Sequence, residues 1–594
     1  MAKKSPPIRY TSRDFESIKD ELIDYAKKYY PDTVKDFNPS SFSMFFVDTV
    51  SYIGDMLSFY IDYQASESFF DSAIEYENIL RHGREKGFSL NGSASTYGVL
   101  SYYILVPALA SGLGPDLTYA PILRRLSEFS TRNGANFVLM EDINFADVDK
   151  VEYRAARVNE VTGVPTYYAA KVKGKVVSGR LVTRTVEVGE FQRFLRVNLD
   201  SNRISEILSV IDSEGNEYYE VANLAQDVIY KSIINNNLDG AISILKPVAV
   251  PRRFEVVRMM DQTYLQFGYG TENSYADVVD PRNTTLNLFG KPYISDATFD
   301  PSKLLENDKF GISPTNTFLT ISYRENDNGS LNASVDTVTN TVSPMFRFAN
   351  RNSLLNSQVS FVIDSLEVTN EEPFTGNVTL PSSEELKIRI QNHFSAQNRA
   401  VTSEDYKALC YSMPVQFGGI SRVNVFQDKS SFKRNLNLYV VCEDSNRNLT
   451  PTNQIIKQNI KEWISTHKMI NDTIDILDAK IINYGIEFKA ISETKYNRYE
   501  VLEKCIQRLK ELMNVKQDIG ESIQISKIYN ALNEVEGVED VKDVRITGRT
   551  GSVYSQTQFN FDKNISVDGR TIRGYNNVIF ELRFPNDDIK GSIV

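Results

Sequence analysis

The chain has 594 residues, 41% of them hydrophobic and 24% charged, a balance typical of globular proteins and long enough for several domains. Its 66 Lys and Arg against 77 Asp and Glu leave a net charge of -11, and no long basic block occurs. Nucleic acid is therefore excluded as a general partner, because phosphate binding depends on clustered cations. The basic N-terminus, MAKKSPPIRYTSRDF, has no apolar run after it. No signal peptide is expected, and Cys410, Cys442 and Cys505 are too widely spaced for a disulfide framework, so synthesis in a cytoplasm with reduced thiols is predicted.

Residues 12 to about 30 carry Phe15, Ile18, Leu22, Tyr25, Ala26 and Tyr29 at helical spacing, with Thr11 or Ser12 as cap and Pro31 as stop. After Asn38-Pro39-Ser40-Ser41 comes the most aromatic stretch of the chain, and it also reads as a helix. Asp48, Asp55 and Asp62 argue against a membrane span, since each costs about 2.5 to 3.5 kcal/mol near a bilayer centre. Asp48, Ser51, Asp55, Ser58 and Asp62 follow at steps of three and four and make one narrow polar stripe. Phe45, Phe46, Tyr52, Ile53, Met56, Leu57, Phe59, Tyr60 and Tyr63 occupy the rest of the perimeter. A perimeter this apolar calls for a cover, either the helix's own domain or another subunit. A third helix is predicted from about Ser72 to Lys86, capped by Gly87, so that residues 1–96 form a helical module.

From Tyr97 to residue 375 the texture is short β-branched and aromatic runs broken by Gly, Asn, Asp and Pro, a β-rich middle region. Asn133-Gly134 suits a hairpin turn, and Asp212 to Asn216 reads as a turn rather than a calcium loop, since the glycine and later Glu of that motif are missing. "YLQFGYGTENS" at 264–274 is a strand end with a Gly-rich bend and lacks the remainder of a dinucleotide fingerprint.

Beyond residue 376 helices and strands alternate in two cycles, which predicts two ferredoxin-like, split β-α-β modules at 376–482 and 483–594, the second ending in a strand and a loose tail. The fold class is thus multidomain α+β. His82, His393 and His467 belong to no metal-ligand pattern, no Cys pair has metal spacing, and neither a nucleophile elbow nor a phosphate loop occurs. No catalytic residue, metal or cofactor is expected, and the chain reads as a non-enzyme.

Asp36-Phe37 with Ser40, Asp48, Tyr52, Tyr60, Glu67-Ser68-Phe69 and Lys86-Gly87-Phe88 leading into Asn91 form one block of likeness to a known family. A second is Ala400-Val401-Thr402-Ser403-Glu404-Asp405-Tyr406 with Phe417-Gly418, Val423 and Val425, and a third is "VEGVEDVKDVRI" at 535–546. In these the chain resembles the ring-forming baseplate wedge subunit of T-even-like contractile-tailed bacteriophages and, more distantly, the baseplate J-like family. Thr402, Asp405, Tyr406 and Gly418 carry the most specific part.

The resemblance implies a structural late protein of the virion, located in the tail baseplate and assembled in the host cytoplasm. It implies a dimer of two conformations and a ring of copies around the hub. An elongated wedge partner packs with the N-terminal helices in a bundle, and other baseplate, hub and sheath-initiating proteins adjoin. The ring changes shape on host attachment and permits sheath contraction, and the polar stripe faces solvent. The β-rich middle also suits a receptor-binding or adhesin-like tail module, and a polysaccharide hydrolase would need a motif the sequence lacks.

Overall fold

The computed structural model of the chain describes residues 14–593 apart from 32–35, 40, 89–93, 110–113, 160–162, 235–242, 260–261, 272–309, 327–330, 377–380, 429–434, 445, 514–516 and 552. The expected cap residues Thr11 and Ser12, with Ser40, Asn91 and residues 272–274, lie outside this set. Two compact units are formed, residues 1–89 with 381–394 and residues 90–380 with 395–594.

In the first unit, α1 (Phe15–Tyr29) is capped by Asp14, whose carboxylate accepts from the Ser17 amide at 3.2 Å. The second helix, α2 (Phe42–Glu67), begins at the expected place, with Ser41 Oγ accepting from Met44 N. Its successor α3 (Tyr76–Glu85) starts four residues later than Ser72, because Glu67 organises the turn before it. The Glu67 carboxylate is buried and accepts from Asn78 Nδ2 at 2.9 Å and Ile74 N at 2.8 Å. These bonds, the one from Asn78 foremost, hold its carboxyl below the usual range. Gly87 ends α3 as predicted.

A helix from far along the chain, α4 (Ser383–Ala396), completes this unit with its residues up to Phe394. Lys387 Nζ donates to Asp71 O at 2.8 Å, and His393 lies edge-on to Phe88 with ring centroids 5.6 Å apart. Burial at that contact holds the His393 imidazole below its ordinary pKa of 6.5. The unfolded chain therefore binds this proton more readily, and stability falls as the pH drops below about 6.5. Calorimetry between pH 7.5 and 5.5 should show a smaller loss of melting temperature in His393→Leu than in the parent.

The second unit begins with a seven-stranded sheet in the spatial order Val338–Ser343, Glu128–Thr131, Asn136–Leu139, Pro165–Ser178, Tyr97–Pro107 and Glu367–Thr369, with Glu152–Val158 also pairing the Pro165–Ser178 strand. The sheet curls until its ends meet, around a core that includes Leu100, Tyr102, Phe129, Phe137 and Phe374. Ala333 and Phe374 exchange backbone hydrogen bonds across the seam. Beside them Asn370, fully buried, accepts from Thr337 N and Val338 N at 3.0 Å each and donates to Ser334 O and Glu372 O at 2.6 and 3.0 Å. Asn133-Gly134 makes the hairpin turn between two of these strands.

A second seven-stranded sheet runs Arg180–Val188, Thr317–Glu325, Ile204–Ile211, Glu217–Glu220, Arg253–Arg258, Thr263–Phe267 and Arg196–Asn198. Its core takes Val188 from one end strand and Val197 from the other. Asp212 forms the predicted turn, its carboxylate accepting from Glu214 N, Asn216 N and Asn216 Nδ2. Arg324 is almost wholly buried where the two sheets join, donating to Ser178 O, Ser95 Oγ and Glu206.

The C-terminal part carries helices and strands in the expected sequence, but its strand order departs from the ferredoxin-like expectation. Thr473–Asp478 runs parallel to Asn435–Glu443 and directly beside it, so no strand is inserted between the parallel pair. Further on, one strand runs unbroken from Lys480 to Ser492, across the expected boundary at 482 and 483. It pairs antiparallel with Val538–Gly548 on one side and parallel with Val578–Glu581 and Ile589–Ile593 on the other. The chain end is thus a paired strand with Ile589 buried, where a loose tail was expected.

Candidate assembly surface

The α2 helix is 26 residues long, and its contact with α1 uses the polar stripe. Ser51 is fully buried, and Asp48, Asp55 and Ser58 are half-buried. A Cβ on Gly54 would lie 3.1 Å from Ile18 Cδ1, so the missing side chain lets the two helices approach closely. Lys19 Nζ pairs with Asp48 at 2.7 Å. The expectation that this stripe faces solvent is therefore overturned for all but Asp62, which is exposed. Small and hydrogen-bonding side chains suit a close helix contact, and the stripe supplies them.

The consequence is an apolar face left open. All nine residues of the candidate interface are exposed, from Tyr63 at 38% to Phe59 at 66%. Phe42, Val50 and Ile61 extend the face along the helix, and Phe69 and Ile74 in the turn after it are exposed as well. Among the described residues, the helix's own unit does not cover this face. Neighbouring rings stack on each other, Phe42 edge-on to Phe46 at 4.8 Å and Phe59 on Tyr63 at 6.4 Å. Phe69 and Ile74 were missed as candidates because they fall in a Ser- and Asp-rich turn without helical period. Among the described residues, no helix is long and apolar enough to cross a membrane.

The second block of likeness lies in the other unit and is architectural. Thr402 and Asp405 form a reciprocal capping box on a helix α5 (Ser403–Tyr411): Thr402 Oγ1 accepts from Asp405 N at 3.2 Å, and Asp405 Oδ2 accepts from Thr402 N at 2.8 Å. Tyr406 is buried and donates to Asp472 Oδ2 at 2.7 Å, tying α5 to the loop after a helix α6 (Gln454–Ser465). That contact and burial push the Tyr406 phenol well above its ordinary range, burial being the larger cause. Gly418 holds φ at +105°, a backbone conformation that residues with side chains avoid. Thr402→Val should cost about 1 kcal/mol, read as a lower urea midpoint at unchanged m-value.

The three histidines are spread out, His82 against Glu67 O, His393 against Phe88 and His467 against Trp463. Cys410, Cys442 and Cys505 are buried, their thiols pushed up to about 12, 12 and 11 by burial. Among the described residues no three His, Cys, Asp or Glu side chains gather as a metal site would require.

No curated protein matches the sequence. The chain is similar to two solved assemblies. One is the anti-feeding prophage baseplate, at 9% identity over 95% of this chain and 90% of that one with a TM-score of 0.25. The other is the type VI secretion system TssK-TssF-TssG baseplate subcomplex, at 8% identity over 74% of this chain and 96% of that one with a TM-score of 0.23. Superpositions at that level share little geometry. Residues 14–85 match the family model of the bacteriophage baseplate protein N-terminal domain, a span that coincides with α1 to α3. The helices that carry the open aromatic face are thus the ones that match the family model of the baseplate protein N-terminal domain.

Proposed function

We propose that this chain is a structural, non-catalytic subunit of a contractile-tail baseplate, of the wedge type, acting by association with other chains. The observation that carries the proposal is the open face of α2 inside a segment that matches a baseplate N-terminal domain. A face of this size on a soluble protein calls for a protein cover. Its spacing favours other helices. Phe45, Tyr52 and Phe59 recur every seven residues, as do Phe46, Ile53 and Tyr60, and Asp48, Asp55 and Asp62. A seven-residue repeat imposes a left-handed supercoil on packed helices.

In the proposed arrangement α2 joins the same helix of a second copy and a helix of an elongated wedge partner. The C-terminal modules, residues 376–594, are the part that would meet neighbouring copies in a ring around the hub, and the ring would change shape on host attachment. The resemblance in the sequence supports these finer points, including the virion tail as location and the host cytoplasm as place of assembly. Light scattering of the purified chain over a concentration series, alone and mixed with the wedge partner, tests the reading. Mass that rises with concentration or on mixing is expected. A strict monomer in both series would overturn it.

A further inference from the structure

The second seven-stranded sheet has two end strands, Arg180–Val188 and Arg196–Asn198, and they face each other across a cleft of about 280 Å³. Both line it, together with Gly189, Glu190, Gln192 and Leu195. Arg184 of one strand reaches Asp200, just past the other, at 2.7 Å. Among the described residues the first strand pairs only with Thr317–Glu325 and the second only with Thr263–Phe267.

The register shows where the remaining backbone groups point. In an antiparallel ladder, residues alternate between pairs that bond each other and pairs whose N–H and C=O groups point away from the partner strand. Asn316 N donates to Gly189 O, which makes that pair a bonded one. Val188 and Val186, paired with Thr317 and Leu319, then turn their backbone groups away from that neighbour. On the other side Leu199 N donates to Thr263 O and Phe267 N to Leu195 O. Arg196 and Asn198 lie at the alternate positions and also point away from their neighbour. All four residues line the cleft. Among the described residues, two strand edges thus present unpaired backbone donors and acceptors toward one shared space.

We propose that this cleft is a strand-addition site, which takes an extended segment of another polypeptide as the eighth strand of the sheet. An extended backbone can satisfy both edges at once, and free edges are what such segments recognise. The end strands run antiparallel to each other, counting the pairings around the sheet, so the added strand is antiparallel to one and parallel to the other. The chemistry of the occupant follows from the lining. Val188 and Val197 are buried and face the core, so small apolar side chains fit at alternate positions. Glu187 and Arg196 are exposed on the opposite lips, so polar side chains of either charge fit between them. Arg196 Nε is held by Gln266 and Asn198 Nδ2 by Gln262, which keeps both side chains on their own side of the cleft. This inference does not depend on the α2 face.

Residue-resolved hydrogen exchange on the full chain tests it, with the capped heptapeptide Lys-Val-Thr-Val-Thr-Val-Glu as probe and the same peptide with its central Val replaced by Pro as control. The amides of Val186, Val188, Arg196 and Asn198 should exchange faster than the ladder amides of Glu187 and Val197 in the chain alone. The Val peptide at millimolar concentration should slow them about tenfold, and the Pro peptide should not. Val188→Pro removes a donor that points into the cleft and none from the existing ladder, so it should abolish the slowing. Should that variant fold poorly, Arg196→Pro repeats the experiment from the other lip. Edge amides already protected in the chain alone, equal slowing by both peptides, or no slowing by either would overturn the proposal.

Discussion

Replacing Tyr52 and Phe59 together by serine should abolish association of the N-terminal helices with their partners while leaving the chain folded. Both side chains are exposed, at 58% and 66%, and neither contributes to a core, so the melting temperature should hardly move. Burying one such ring on association contributes about 1.5 to 3 kcal/mol. Losing two at the centre of the face should weaken binding by a factor of about 10² to 10⁴. Size-exclusion chromatography with the wedge partner, with calorimetry alongside, reads both effects. Gln64→Ser, near the end of the same helix, should change neither. A double variant that assembles normally would remove the aromatic face from any role in the bundle. Gly54→Leu should have the opposite profile, because it pushes α1 away at Ile18 and lowers stability before it affects the open face.

These outcomes bear on which part of the structure is legible in the sequence. The period of α2 and its start after Ser41 follow from residue spacing and capping, both local signals. Which face turns inward does not follow from them. An amphipathic pattern says that two faces differ, and the usual inference is that the polar one meets water. Here α1 packs on the polar one, since Ser51 and Gly54 are small and Asp48 finds Lys19. Long-range pairings were equally hidden. The contribution of α4 to the first unit rests on Lys387 and His393, some three hundred residues from Asp71 and Phe88. The ferredoxin-like expectation came from element order, and order alone does not say whether a strand slips between the parallel pair. Thr402 and Asp405 could be read directly because a capping box is complete within four residues.

Asn370 stands at the far end of that scale, and its removal should be among the costliest single changes in the chain. Nothing local marks it, since Val368-Thr369-Asn370-Glu371 reads as an ordinary strand end. Its side chain, itself without solvent access, nevertheless makes four backbone hydrogen bonds, three across the seam to Thr337, Val338 and Ser334 and one to Glu372 on its own side. Alanine would leave Val338 N buried without its partner and deprive the less buried Thr337 N, Ser334 O and Glu372 O of theirs, at about 1 to 3 kcal/mol for each group that no water reaches. A total loss of about 3 kcal/mol or more is expected, read from the urea midpoint of the second unit. Asn370→Asp separates the two halves of the interaction. It keeps an acceptor for the Thr337 and Val338 amides but faces the carbonyls of Ser334 and Glu372 with an oxygen, so it should also be strongly destabilising and recover as the pH falls and the carboxyl is protonated. Exchange of the Thr337 and Val338 amides locates the damage. If Asn370→Ala costs less than about 1 kcal/mol and those amides remain protected, the seam is held by the Ala333 and Phe374 pairing and by the core behind it, and the side chain only fills the space between.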